Sequence, residues 1–206
     1  QANAMSALLK LSKHSSGMKE IMENWGLKLI LRVLRNGLKM EARQTAAATL
    51  FYLASVHEYR KLIGETPDAI PALVELIKDG ATCGKKNAVV AIFGLLLSHR
   101  NHQRVIAAGT IPALVNLLAI SEKVELTTDA LAVLATLADS VNGSSKILES
   151  SALPTVSGLL HSTTSRAGKE YCLSILHSLC LNCGADVISV LAKDQSLMPA
   201  LYSLVT

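Results

Sequence analysis

Apolar positions along this chain recur at helical spacing, and the helical segments themselves recur. The stretch 101–138 shows the unit most clearly. Asn101–Ala108 is a short helical segment. It ends at Gly109, a residue free to take the left-handed conformation that closes a helix. Ile111, Leu114, Val115 and Leu118 then fall at i, i+3, i+4 and i+7, one face of a second helix, with Pro112 in its first turn, where its missing N–H is no loss. A polar turn, Ser121–Glu125, leads to a longer third helix, Leu126–Ala138, with Ala130, Leu134 and Leu137 on one face.

This short, medium, long triplet repeats. Leu11, Leu53, Leu95, Leu137 and Leu179 are 42 residues apart, and a small residue precedes each by seven: Ala4, Ala46, Ala88, Ala130 and Cys172. Second helices are predicted to start at Leu27, Ile70, Ile111, Leu153 and Met198, with prolines at Pro71, Pro112, Pro154 and Pro199. A fixed period of this length is the mark of stacked units, each burying its apolar face against the next. It predicts partial or whole repeats over residues 1–12, 13–56, 57–98, 99–140, 141–183 and 184–206 of a single domain, 1–206. The chain begins and ends inside the pattern, so a longer protein is expected around it.

Composition narrows the choice among repeat architectures. Half the residues are hydrophobic but only 3% are aromatic, so the core is made of Leu, Ile, Val and Ala. That suits closely packed helices and argues against a propeller of strands. The net charge of +4 is spread out, without the dense basic patch a nucleic-acid partner calls for. The longest apolar run, Ala88–Leu97, is too short to span a bilayer, so no direct membrane insertion is expected. Four clustered cysteines suit a reducing compartment, cytoplasm or nucleus. Cys180 and Cys183 form a lone CxxC without the further ligands zinc needs, so no metal is expected. Neither a phosphate-binding glycine loop nor a Ser/His/Asp spacing stands out, so no cofactor and no catalytic residue is assigned. Trp25, the one tryptophan, is read as a packing residue at the turn between first and second helices.

The three-helix unit, with the run from Gly109 to Leu118 opening its second helix, resembles the armadillo repeat. The fold class is then all-α, a right-handed armadillo-repeat solenoid with three helices per 42-residue repeat. The resemblance implies that the third helices line a concave groove for a protein partner. Nuclear-import adaptors of that fold carry tryptophans where this chain has Ser6, Ala48, Val90, Ala132 and Ser174, and asparagines where it has Lys10, Tyr52, Gly94, Thr136 and Ser178. A cargo adaptor for nuclear import is therefore the least favoured binding role. Groove positions expected to face a partner are Tyr52, Asn87, Asp129 and Tyr171, with the two tyrosines as anchors. A basic stripe, Arg43, Lys85, Lys86 and Lys169, falls at third-helix N-termini, where the helix dipole also favours anions. It reads either as a site for acidic or phosphorylated segments or as a solvated edge.

The region from Gln44 to Ala138 is more specific. Leu50–Ala54 (LFYLA), Lys61–Gly64 (KLIG) and the Gly80–Ala88 run (GATCGKKNA) resemble the armadillo region of plant U-box ubiquitin ligases. That resemblance implies a U-box, outside this chain, which recruits the ubiquitin-conjugating enzyme and makes the parent a ubiquitin transferase. The repeats would recruit a substrate or regulatory partner in stress or defence signalling. The alternative is an armadillo scaffold of a non-ubiquitin class.

Overall fold

A computed structural model describes residues 2–193. Met198, Pro199 and the end of the 184–206 repeat lie outside the described residues. Helices follow one another throughout, with no strand among the described residues. A single third-type helix, α1 (Ala2–Leu11), comes first. Three-helix sets follow: α2 (Ser15–Glu23), α3 (Gly26–Asn36) and α4 (Met40–Leu53); then α5 (His57–Glu65), α6 (Ala69–Asp79) and α7 (Thr82–Leu96). In the next set a 3-10 turn, His99–Asn101, precedes α8 (His102–Ala107), α9 (Thr110–Ile120) and α10 (Val124–Ala138). The last are α11 (Val141–Glu149), α12 (Ala152–Ser162), α13 (Arg166–Cys183) and α14 (Ala185–Leu191). Each of the four described second helices, α3, α6, α9 and α12, starts one residue before the position its apolar pattern suggests.

The chain divides into two compact units, Gln1–Thr110 and Ile111–Thr206. In the first, α4 is the hub: it packs on α1, α3 and α7, and α7 in turn on α6. In the second, α13 has that place, packing on α10, α11 and α12. The small residues at the 42-residue interval permit this. Ala46, Ala88, Ala130 and Cys172 are fully buried, as are Leu53, Leu137 and Leu179, with Leu95 nearly so. Without a large side chain in the way, third helices approach closely and the leucines fill the space between repeats. In α1 the register differs. Leu11 is 48% exposed and Ala4 is open, while Met5 and Ser12, one residue further along each, are buried. Packed chiefly on α2 and α4, α1 has fewer neighbours than α4 and encloses a different strip of its surface.

Among the described residues, each corner from a first to a second helix passes through the left-handed region. The residues there are Trp25 (φ 62°), Asp68 (φ 65°), Gly109 (φ 77°) and Ser151 (φ 56°). Only Gly109 takes this shape without steric cost; for an L side chain it costs about 1–2 kcal/mol. In the last full three-helix set serine caps two helices, α11 and α13: Ser140 Oγ accepts from the Gly143 N–H at 3.1 Å and Ser165 Oγ from the Gly168 N–H at 3.0 Å.

The joints after α4, α7 and α10 are tied by side chains six residues past the carbonyl that accepts from them. Arg60 Nε donates to the Ala54 carbonyl (2.7 Å), His102 Nε2 to the Leu96 carbonyl (2.8 Å) and Ser144 Oγ to the Ala138 carbonyl (2.7 Å). These carbonyls belong to the last turn, which has no helical N–H left to accept from. Three chemically different side chains satisfy them at one register position. One residue earlier, Asn101 Nδ2 donates to the Leu95 and Arg60 carbonyls, both at 3.0 Å. Its amide is wholly buried and lies against Gly64 of α5, where any side chain would collide with it.

Candidate partner-binding face

In the first unit α1, α4 and α7 are successive third helices, α4 packed between the other two. Their less buried side chains at matching positions are Leu9, Phe51 and Phe93, 42 residues apart. Leu9 is half-buried, Phe51 is 39% and Phe93 36% exposed, and Leu97, one turn beyond Phe93, is 55% exposed. The Phe51 ring meets Tyr52 edge-on at 5.4 Å between centroids, and the Lys13 ammonium sits 5.6 Å from the Tyr52 centroid. Tyr52 is therefore half-buried and held from two sides, with Phe51 the more open of the pair. Asn87 is half-buried; its Nδ2 donates to the Gln44 carbonyl at 3.1 Å, tying α7 to α4.

In the second unit Asp129 on α10 and Tyr171 on α13 are both half-buried. Ser178 is buried and donates to Asp139 Oδ1 at 3.3 Å. The register position of Phe51 holds Ala135, buried, and His177, exposed. The exposed aromatic ridge thus belongs to the first unit. Sequence reading missed it by following the position of the import adaptors' asparagines, which holds Tyr52, and not the neighbouring position; the 42-residue spacing of Phe51 and Phe93 was the available signal.

The basic positions differ in their surroundings. Arg43, Lys85 and Lys169 are each the fourth residue of α4, α7 and α13. Arg43 Nε donates to the Leu34 carbonyl at 2.8 Å, joining α4 to α3, so this guanidinium is engaged inside the repeat. Lys85, Lys86 and Lys169 are half-buried. At the corresponding place on α10, Thr127 is buried and bonded to its own helix. Arg43, Lys85 and Lys86 lie in the first unit and Lys169 in the second.

No group of three or more His, Cys, Asp or Glu able to hold a metal occurs among the described residues. Cys180 and Cys183 are free, half-buried thiols on one helix, and Cys83 is a free, exposed one. Burial pushes the Cys172 thiol up to about 12. No helix among the described residues is long and apolar enough to cross a membrane by itself. Trp25 is not the packing residue its turn position suggested: it is 78% exposed. The left-handed corner turns its side chain outward, and its one described partner is Lys28, whose ammonium is 5.4 Å from the ring centroid.

Residues 2–194 match the family profile described as the plant U-box protein ARM repeat region. The chain belongs to the plant U-box protein family, as an armadillo-repeat region. U-box domain-containing protein 18 of Arabidopsis thaliana is 41% identical over 211 residues, aligned with 100% of this chain and 30% of its own length. U-box domain-containing protein 19 of the same plant is also 41% identical, over 98% of this chain and 31% of that protein. U-box domain-containing protein 4 of Oryza sativa subsp. japonica is 35% identical, covering 99% and 28%. The chain thus spans about a third of these plant U-box relatives. Among solved structures, a designed armadillo repeat protein superposes with a TM-score of 0.81 at 25% identity, over 97% of this chain and 84% of that one. Another, from a set designed for modular peptide recognition, gives 0.83 at 25% identity, over 99% and 86%. The fold is an all-α armadillo-repeat solenoid, as expected of a protein-interaction region in this family.

Proposed function

We propose that this chain is the recognition arm of a plant ubiquitin ligase and holds a protein substrate or regulatory partner on the third helices of its first unit. The observation that carries this reading is the Phe51/Phe93 pair. Two large apolar side chains are left open at identical places on adjacent helices, in a fold with few aromatics to spare. Exposed aromatics flanked by neutral surface are the usual anchors of an interface. Half-buried Thr45, Ala48 and Val90 leave room beside them for a helix or an extended apolar segment. The structural likeness to proteins designed for peptide recognition supports the same use of the surface. Family membership supports the ligase context: a U-box in the parent protein would bind the ubiquitin-conjugating enzyme, while these repeats choose the target, in the cytoplasm or nucleus and in stress or defence signalling.

The test uses the full-length parent. Phe51→Ala with Phe93→Ala should abolish ubiquitin transfer to the partner while leaving self-ubiquitination, which depends on the U-box, at its original rate. Equal loss of both activities, or retention of both, would overturn the assignment of this face.

A further inference from the structure

A second surface lies away from the third helices. A cleft of about 680 Å³ opens in the first unit between two successive corners, α2–α3 and α5–α6. Half-buried Met22, Leu27 and Leu31 give it an apolar lining, and Trp25 adds an exposed indole. Lys28, Arg32 and Arg35 project from α3 at i, i+4 and i+7 along its side. Arg35 is held by Asp68 at 2.6 Å, and the other acidic group of the lining, Glu23, pairs with Lys19 at 3.8 Å. Among the described residues no carboxylate pairs with Lys28 or Arg32. At Thr66–Asp68 the cleft continues into a second hollow of about 380 Å³, which runs past Pro71 to Arg104. An apolar hole, an aromatic wall and two uncompensated cations in a row fit one chemistry. They fit an acidic chain segment that inserts one apolar side chain. The trough formed by the two hollows favours a linear segment over a compact small molecule.

Trp25 itself argues for use. The equivalent corners hold Asp68, Gly109 and Ser151, residue types that tolerate the left-handed region or turn readily. A bulky aromatic there is strained, and at 78% exposure it returns little packing to the fold. We infer that the Trp25 cleft is a second docking site, for an acidic linear segment of a partner protein carrying an apolar anchor, independent of the Phe51/Phe93 face.

The probe is the peptide acetyl-EELEE-amide, titrated into the 206-residue chain and followed by Trp25 emission and by isothermal titration calorimetry. Saturable binding is expected, weakened by about tenfold in Lys28→Glu with Arg32→Glu and weakened further by salt. The basic counterpart acetyl-KKLKK-amide should not bind. Trp25→Gly should lose calorimetric binding while its thermal midpoint stays the same or rises, which separates a docking role from a structural one. Phe51→Ala with Phe93→Ala should leave the peptide affinity unchanged. Equal binding of both peptides, insensitivity to the charge reversals, or no saturation up to about 1 mM would each overturn the proposal. Binding of sodium triphosphate in place of the peptide would do so as well, in favour of a small-anion site.

Discussion

Replacing Gly64 with alanine tests the joint between α5 and the His99–Asn101 turn. A methyl at Gly64 would overlap the Asn101 amide and come within 2.7 Å of its Nδ2. That amide is fully buried and donates to two carbonyls at 3.0 Å. Displacing it forfeits two hydrogen bonds of about 1 kcal/mol each. Overpacking adds about 1–3 kcal/mol. Alanine regains about 1 kcal/mol through its better helix propensity. The net expectation is a loss of about 2–4 kcal/mol, read from urea denaturation followed by circular dichroism. The sign should reverse in an Asn101→Gly background. Gly17 and Gly143 occupy the same register position as Asn101, so the backbone there accommodates glycine. With the amide gone the methyl has room, and Gly64→Ala should become neutral or stabilising by up to about 1 kcal/mol. If Gly64→Ala costs the same in both backgrounds, the Asn101 amide is not what excludes a side chain at that position.

Trp25→Gly should raise stability by about 1 kcal/mol, seen as a higher thermal midpoint, because it removes a left-handed L residue with little packing to lose. Arg60→Ala should lower stability by about 1 kcal/mol by leaving the Ala54 carbonyl without its side-chain donor, and Ser144→Ala should cost less, because Asn182 Nδ2 still donates to the Ala138 carbonyl at 3.0 Å; urea denaturation measures both. Cys172, with its thiol pushed up to about 12 by burial, should resist alkylation at pH 8 in the folded chain while Cys83 reacts, as mass spectrometry of iodoacetamide-treated protein would show. Its folded value lies above the unfolded one, so the protonated thiol's contribution is intact below about pH 9 and is lost as pH rises from there toward 12. Cys172→Ala, which installs the residue found at Ala46, Ala88 and Ala130, should flatten that alkaline decline, measured as the pH dependence of the denaturation midpoint.

Much of the fold was legible because it rests on repetition. Ala46, Ala88 and Ala130 with Leu53, Leu95 and Leu137 announce close helix packing in their identity as well as their spacing. Gly109 announces a left-handed corner. The same corner at Trp25, Asp68 and Ser151 was hidden, because aspartate and serine occur in many kinds of turn and tryptophan gives no sign of this one. The carbonyl ties at Arg60, His102 and Ser144 were hidden for a related reason: a guanidinium, an imidazole and a hydroxyl share a function but no appearance. On the partner-binding face, Tyr52 was singled out at the import adaptors' asparagine position and Asn87, Asp129 and Tyr171 at a position nearer the helix starts; Tyr52 proved the better covered neighbour of Phe51. Exposure depends on which neighbours cover a position, so periodicity alone does not separate the two.

The carbonyl ties also bear on how the molecule comes apart. Each bond links the end of one repeat to the start of the next, so it adds to the coupling between neighbours and not to the stability within a repeat. At the earliest joint the ladder lapses: the residue in register with Arg60 is Met18, whose side chain has no N–H or O–H to offer the Ser12 carbonyl. Opening should therefore begin where α1 meets α2 and halt at the Arg60 joint. Amide exchange would show it as an early loss of protection confined to the residues before α4. Among the joints from α1 to α11, opening is in this way given a starting point by the one position whose side chain lacks a donor.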